Sequence, residues 1–151
     1  MLRKGGIMLQ LTGLSKVLGG KQVIHMNLDS QMDLIELGKK GISKKALNHL
    51  IEYSSLTLSQ ITKLLPISER TIQRYSVNDR FNSAVSEQIL EIAYIIAQGE
   101  EVFGEMKKFL AWMNYENPVL GNKKPFDLLN SRFGTDLIID ELGRIEHGVI
   151  S

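Results

Sequence analysis

A chain of 151 residues, 43% hydrophobic and 23% charged, has the composition of a globular protein with room for one domain or two small ones sharing a core. It contains no cysteine, which excludes disulfide scaffolds, thiolate metal sites and cysteine nucleophiles. The net charge of +1 hides a gradient: residues 36–80 carry eight Lys/Arg against four acids, whereas residues 99–151 carry six basic and nine acidic residues. A basic middle and an acidic end suggest two surfaces with different partners; the alternative is two ordinary solvated surfaces.

Residues 1–29 carry Gly5, Gly6, Gly13, Gly19 and Gly20, which interrupt any helix, and read as a weakly structured N-terminal arm. From Ser30 onward the pattern is helical. Ser30 caps a helix whose apolar residues Met32, Leu34, Ile35 and Leu37 end at Gly38. Ser43 caps the next, with Ala46, Leu47, Leu50 and Ile51 on one face. Thr57 followed by Gln60 has capping-box spacing and opens a short helix; Ser68 caps another that reaches about Tyr75. Asn82 or Ser83 starts a longer helix with Val85, Ile89, Ile92, Ala93 and Ile96 as its stripe, closed by Gly99.

Residues 102–113 read as one amphipathic helix with Phe103, Met106, Phe109, Leu110 and Met113 inward. Asn117-Pro118 ends it, because the residue before proline avoids helical geometry. Pro125 sits at the first position of a short helix, and a final helix runs from Asp136 to about Glu146 with Leu137, Ile138, Leu142 and Ile145 as its apolar face. The expected architecture is all-α: an arm at 1–29, a helix-turn-helix domain at 30–98 and a small helical domain at 99–151.

The segment LTLSQITKLLPISERTIQRY, residues 56–75, has the form of a helix-turn-helix. Ile61, Leu65, Ile67 and Ile72 are placed to bury against each other. That leaves Ser68, Glu69, Arg70, Thr71, Gln73 and Arg74 outward on a short, cationic, hydrogen-bonding helix. In a DNA major groove, Arg reads guanine edges or phosphates and Gln reads adenine, while the Ser68 hydroxyl suits a phosphate oxygen. The candidate DNA-contact set is therefore Ser68, Arg70, Thr71, Gln73 and Arg74; the alternative is a plain helical hairpin with a solvated face. Pro66 stands where many such motifs have a glycine at positive φ, so the turn must take another shape.

Residues 111–151, AWMNYENPVLGNKKPFDLLNSRFGTDLIIDELGRIEHGVIS, carry a more specific signature. Trp112, Asn117-Pro118, Leu120-Gly121, Lys124-Pro125, Asp127-Leu128-Leu129, Gly134 and Arg144-Ile145-Glu146-His147-Gly148 follow in order without a gap. This pattern closely resembles the MbcA/ParS/Xre antitoxin family, and the upstream SERTIQRY, residues 68–75, resembles that family's helix-turn-helix. The resemblance covers residues 18–151. It implies an antitoxin that binds a RES-domain toxin, an enzyme that consumes NAD, that homodimerises and that binds its own operator DNA.

Trp112 and Leu128 read as residues that hold the small domain together, whereas the polar and terminal Asn122, Lys123, Lys124, Arg144, Glu146, His147 and Ser151 read as toxin contacts. An NAD pocket is built for a charged dinucleotide, and a terminal peptide around residues 144–151 could plug it. The rival function is a stand-alone helix-turn-helix regulator whose C-terminal domain only dimerises. No catalytic site, cofactor, metal site or small-molecule substrate is expected. His25, His49 and His147 are far apart and lack companion ligands at metal spacing. Gly19-Gly20-Lys21 lacks the upstream glycine and the Ser/Thr of a phosphate loop. Adjacent acids such as Asp140-Glu141 point apart on a helix and make no acid/base dyad. With no signal peptide and no apolar run long enough to span a bilayer, the expected location is the cytoplasm.

Overall fold

A computed structural model describes residues 7–148. Its regular elements are helical, with no strand among the described residues: α1 (Ile7–Val17), α2 (Lys21–Ile24), α3 (Gln31–Lys40), α4 (Lys44–Ser54), α5 (Leu58–Thr62), α6 (Glu69–Arg74), α7 (Ser83–Phe103), α8 (Met106–Met113) and α9 (Arg132–Glu146). Two single-turn 3-10 helices, Pro118–Leu120 and Pro125–Leu128, lie between α8 and α9. None of these helices is long and apolar enough to cross a membrane. The chain divides into two compact units, 1–96 and 97–151.

In the first unit the glycines of the N-terminal segment do not prevent helix formation. Gly13 lies inside α1, and Leu11, Leu14, Val17 and Leu18 are buried. An interior glycine costs about 1 kcal/mol relative to alanine, whereas burying one large aliphatic side chain contributes about 1.5–3 kcal/mol, so the four docked residues outweigh it. The helix packs on α4, with the Lys16 ammonium 5.9 Å from the Tyr53 ring centroid. Residues 1–6 of the expected arm lie outside the described residues; beyond α1 the segment adds Val23, Ile24 and Leu28 to the core.

Helix α3 begins at Ser30, whose hydroxyl accepts from the Asp33 N–H while the Asp33 carboxylate accepts from the Ser30 N–H, a reciprocal cap. It does not end at Gly38. That residue is buried inside the helix, where an added Cβ would stand 3.5 Å from Glu87 Cγ of α7, and Gly41 ends the helix instead. The buried face is Leu34, Leu37 and Gly38, whereas the helix's other apolar residues, Met32 and Ile35, are exposed.

Helix α7 starts at Asn82, whose Oδ1 accepts from the Val85 N–H. It continues through Gly99 to Phe103, and Gly104, at φ +83, stops it. Residues 102–113 are therefore split between the end of α7 and the separate helix α8. In the second unit, Phe103, Phe109 and Trp112 form an aromatic cluster with centroids 5.6–6.3 Å apart. Helix α9 starts earlier than the sequence pattern suggests, because the Ser131 hydroxyl accepts from the Gly134 N–H. Ile138, Ile139 and Leu142 form its buried face, and Leu137 lies outside it.

Candidate functional site

The segment expected to contact DNA forms two short helices, α5 and α6, joined by residues 63–68. Thr57 and Gln60 close a capping box at the start of α5, and the Ser68 hydroxyl accepts from the Thr71 N–H at the start of α6. Ile61 and Ile72 are fully buried and Leu65 nearly so, while Ile67 is half-buried. The connection passes Pro66 with no residue at positive φ: Leu64 N–H donates to the Ile61 carbonyl and Leu65 N–H to the Thr62 carbonyl. The chain turns through a continued helical bend where other motifs use a left-handed glycine.

Six residues of helix are too few to hold themselves, so the aim of α6 depends on what it is tied to. Its exit is clamped to the entry of α4. The Lys44 ammonium donates to the Tyr75 carbonyl at 2.9 Å, and the Lys44 and Lys45 N–H groups donate to the carbonyls of Asp79 and Val77. Tyr75 stacks on Phe81 at 4.7 Å between centroids. Arg80 donates to the Gly41 carbonyl, and the Phe81 N–H donates to the Ile42 carbonyl.

On this clamped helix Ser68, Arg70, Thr71, Gln73 and Arg74 are all exposed. They are not equivalent. The Ser68 and Thr71 hydroxyls lie 2.8 Å apart in the helix cap, and Gln73 Nε2 is 3.5 Å from the Glu69 carboxylate. Arg70 and Arg74 stand one turn apart on the exposed surface, which makes them the cationic end of the face.

In the second unit the expected partner contacts fall in two elements. Asn122, Lys123 and Lys124 are exposed on one closed loop. Asn117 N–H donates to the Lys123 carbonyl and Asn122 N–H to the Asn117 carbonyl, while Gly121 (φ +68) and Asn122 (φ +61) take the left-handed region that a tight reversal requires. The Asn117 side chain accepts from the Val119 N–H and closes the loop from inside. The loop is thus fixed before any partner arrives, and little ordering entropy is lost on association.

Arg144, Glu146 and His147 lie at the C-terminal end of α9 and are exposed. Arg144 donates to the Glu141 carboxylate at 2.9 Å, and the Glu141 side chain is only 10% exposed. A carboxylate that buried needs a partner, so Arg144 serves the domain itself as well as its surface. Ser151 lies outside the described residues. The sequence pattern did not single out Phe133 and put Leu137 on the apolar face; both are large apolar side chains, 85% and 51% exposed on α9. Reading the helix from its true cap at Ser131 would have shown apolar residues on two opposite faces. Among the described residues no three His, Asp or Glu side chains gather where they could hold a metal ion.

Residues 33–94 match the model of the antitoxin Xre-like helix-turn-helix domain, and residues 98–148 match that of the antitoxin Xre/MbcA/ParS C-terminal toxin-binding domain. A curated relative, "Antitoxin Xre" of Yersinia enterocolitica, is 29% identical over 120 residues, spanning 78% of this chain and 81% of the relative. A chain in the crystal structure of the M. tuberculosis MbcT-MbcA toxin-antitoxin complex is similar in fold, with a TM-score of 0.53 and 22% identity over 67% of this chain and 90% of that one.

Proposed function

Because the chain belongs to the Xre/MbcA/ParS antitoxin family, with its helix-turn-helix domain followed by its toxin-binding domain, we propose that it neutralises a RES-domain toxin that consumes NAD and represses its own operon as a homodimer. The observation that carries this reading is the match of residues 98–148 to a domain described as toxin-binding. The MbcT-MbcA neighbour supports it, being a complex of a toxin with its antitoxin. Neutralisation works by binding alone: the C-terminal domain covers the mouth of the toxin's NAD pocket, and residues 144–151 narrow it. Asn122, Lys123 and Lys124 on their fixed loop, with Arg144, Glu146, His147 and Ser151, contact the toxin. Repression uses α6, with Arg70 and Arg74 on phosphates or guanine edges and Ser68, Thr71 and Gln73 beside them.

Co-expression with the product of the adjacent gene, with growth and cellular NAD as readouts, tests the reading. If the neighbour alone depletes NAD and this chain restores it, the reading stands. If the neighbour is harmless, or NAD stays depleted in the presence of both proteins, it fails, and a regulator acting without a toxin replaces it.

A further inference from the structure

The geometry points to a hydrophobic anchor for the toxin on α9, formed by Phe133 and Leu137. This inference rests on the antitoxin reading and adds to it the place where binding is strongest. The core face of α9 is made by Ile138, Ile139 and Leu142. Phe133, Leu137, Asp140 and Arg144 follow i, i+4, i+7, i+11 spacing and so line the opposite face over roughly 16 Å. All four are exposed, and the first two are large and apolar. A helix with one apolar face docks on its own core; a helix with a second one has a second partner.

What covers that second face follows from where it lies. It falls within residues 98–148, the segment matched to a toxin-binding domain. The stripe also runs along α9 into Arg144 and the residues after it, so an apolar anchor at one end continues into the polar contacts at the other. Interfaces are built this way, with an aromatic or aliphatic centre that excludes water and a polar rim that sets register. Asn122, Lys123, Lys124 and Arg144 fit the rim, and Phe133 and Leu137 fit the centre. The occupant is therefore the toxin, presenting an apolar cleft beside its substrate pocket.

The test titrates the purified product of the adjacent gene with the full-length chain and with Phe133→Ser, Leu137→Ser and Met32→Ser, the last altering an exposed apolar residue of the first unit. Thermal melting and light scattering of each variant alone accompany the titration. The expected result is at least a tenfold loss of affinity for Phe133→Ser and Leu137→Ser, with melting and self-association as in the parent chain and Met32→Ser binding normally. Phe133→Met, which keeps bulk and apolarity, restores most of the affinity. Parent-like binding by both serine variants overturns the inference, as does a loss confined to self-association, which would assign the face to a second copy of the chain. No restoration by Phe133→Met also overturns it. If the parent chain itself does not bind, it is the antitoxin reading that fails, and the two failures are told apart.

Discussion

Gly99 lies directly beneath the ring of Phe109: a Cβ at residue 99 would stand 2.2 Å from Cε1 and 2.3 Å from Cδ1. Phe109 is 1% exposed and packs against Phe103 and Trp112, so the ring has nowhere to swing. Two effects oppose each other in Gly99→Ala. Alanine gains about 1 kcal/mol of helix propensity. Overpacking a fixed core costs about 1–3 kcal/mol and more where several atoms collide. The collision involves three ring atoms at once, so the substitution destabilises the second unit, and a lowered melting temperature or urea midpoint is the expected result. An unchanged midpoint would mean that the ring is not held where it lies.

A single buried hydroxyl joins three segments of the first unit. Ser86 Oγ accepts from the Ile42 N–H at 2.8 Å and donates to the Phe81 carbonyl at 3.2 Å. Ser86→Ala leaves the Ile42 N–H buried without its acceptor, which costs about 1–3 kcal/mol. In a chain of this length that lowers the melting temperature by roughly 2–4 °C per kcal/mol. Phe81 also carries the stack that holds Tyr75 at the exit of α6. The variant is therefore expected to weaken operator binding in parallel with stability, although Ser86 cannot touch DNA. Weakened operator binding with an unchanged melting temperature would speak against this route.

Four of the helix starts were legible because their signals are local. Ser30, Ser43, Thr57 and Ser68 each cap the helix that follows, as their spacing from the first apolar residues implies. The ends were not, because a glycine's role depends on what packs against it. Gly38 and Gly99 look like stops, yet both lie within helices beside a side chain of another helix: Glu87 for one, Phe109 for the other. Gly134 likewise sits inside α9, where a Cβ would meet the Leu128 carbonyl. The same mechanism misplaced Leu137. Beginning α9 at Asp136 put Leu137 on the apolar face, whereas the Ser131 cap extends the helix backward and shows that Leu137 shares its face with Phe133. The polar candidates were named beside the resemblance, whereas the exposure of Phe133 and Leu137 needed the helix to be seen whole.

Removal of residues 147–151 separates plugging from anchoring. Helix α9 closes at His147, whose N–H donates to the Gly143 carbonyl. A chain ending at Glu146 keeps the buried residues Ile138, Ile139 and Leu142 and the Arg144–Glu141 pair. The truncated chain is expected to fold and still bind the toxin through the rest of the domain, but to inhibit NAD consumption less completely at saturation. Full inhibition by the truncated protein would remove the tail from the mechanism and leave coverage by the domain as its basis.

The two arginines of α6 make the DNA expectation quantitative. Both are exposed, and the helix that carries them is held by its buried Ile72, the Lys44–Tyr75 bond and the Tyr75–Phe81 stack. If Arg70 or Arg74 contacts a phosphate, replacing it with alanine weakens binding evenly across sequences and lowers the slope of log K against log salt by about one. If it reads a base, the loss is about 1–3 kcal/mol and falls on one operator position. Titrating an operator fragment at several salt concentrations distinguishes the two, because only a phosphate contact changes the slope while leaving sequence preference intact. Unchanged affinity and slope in both variants would move the DNA surface to the lysines at 39–45. Lys44 would be a poor candidate there, because its ammonium is already bound to the Tyr75 carbonyl, which leaves Lys39, Lys40 and Lys45 as the residues to alter next.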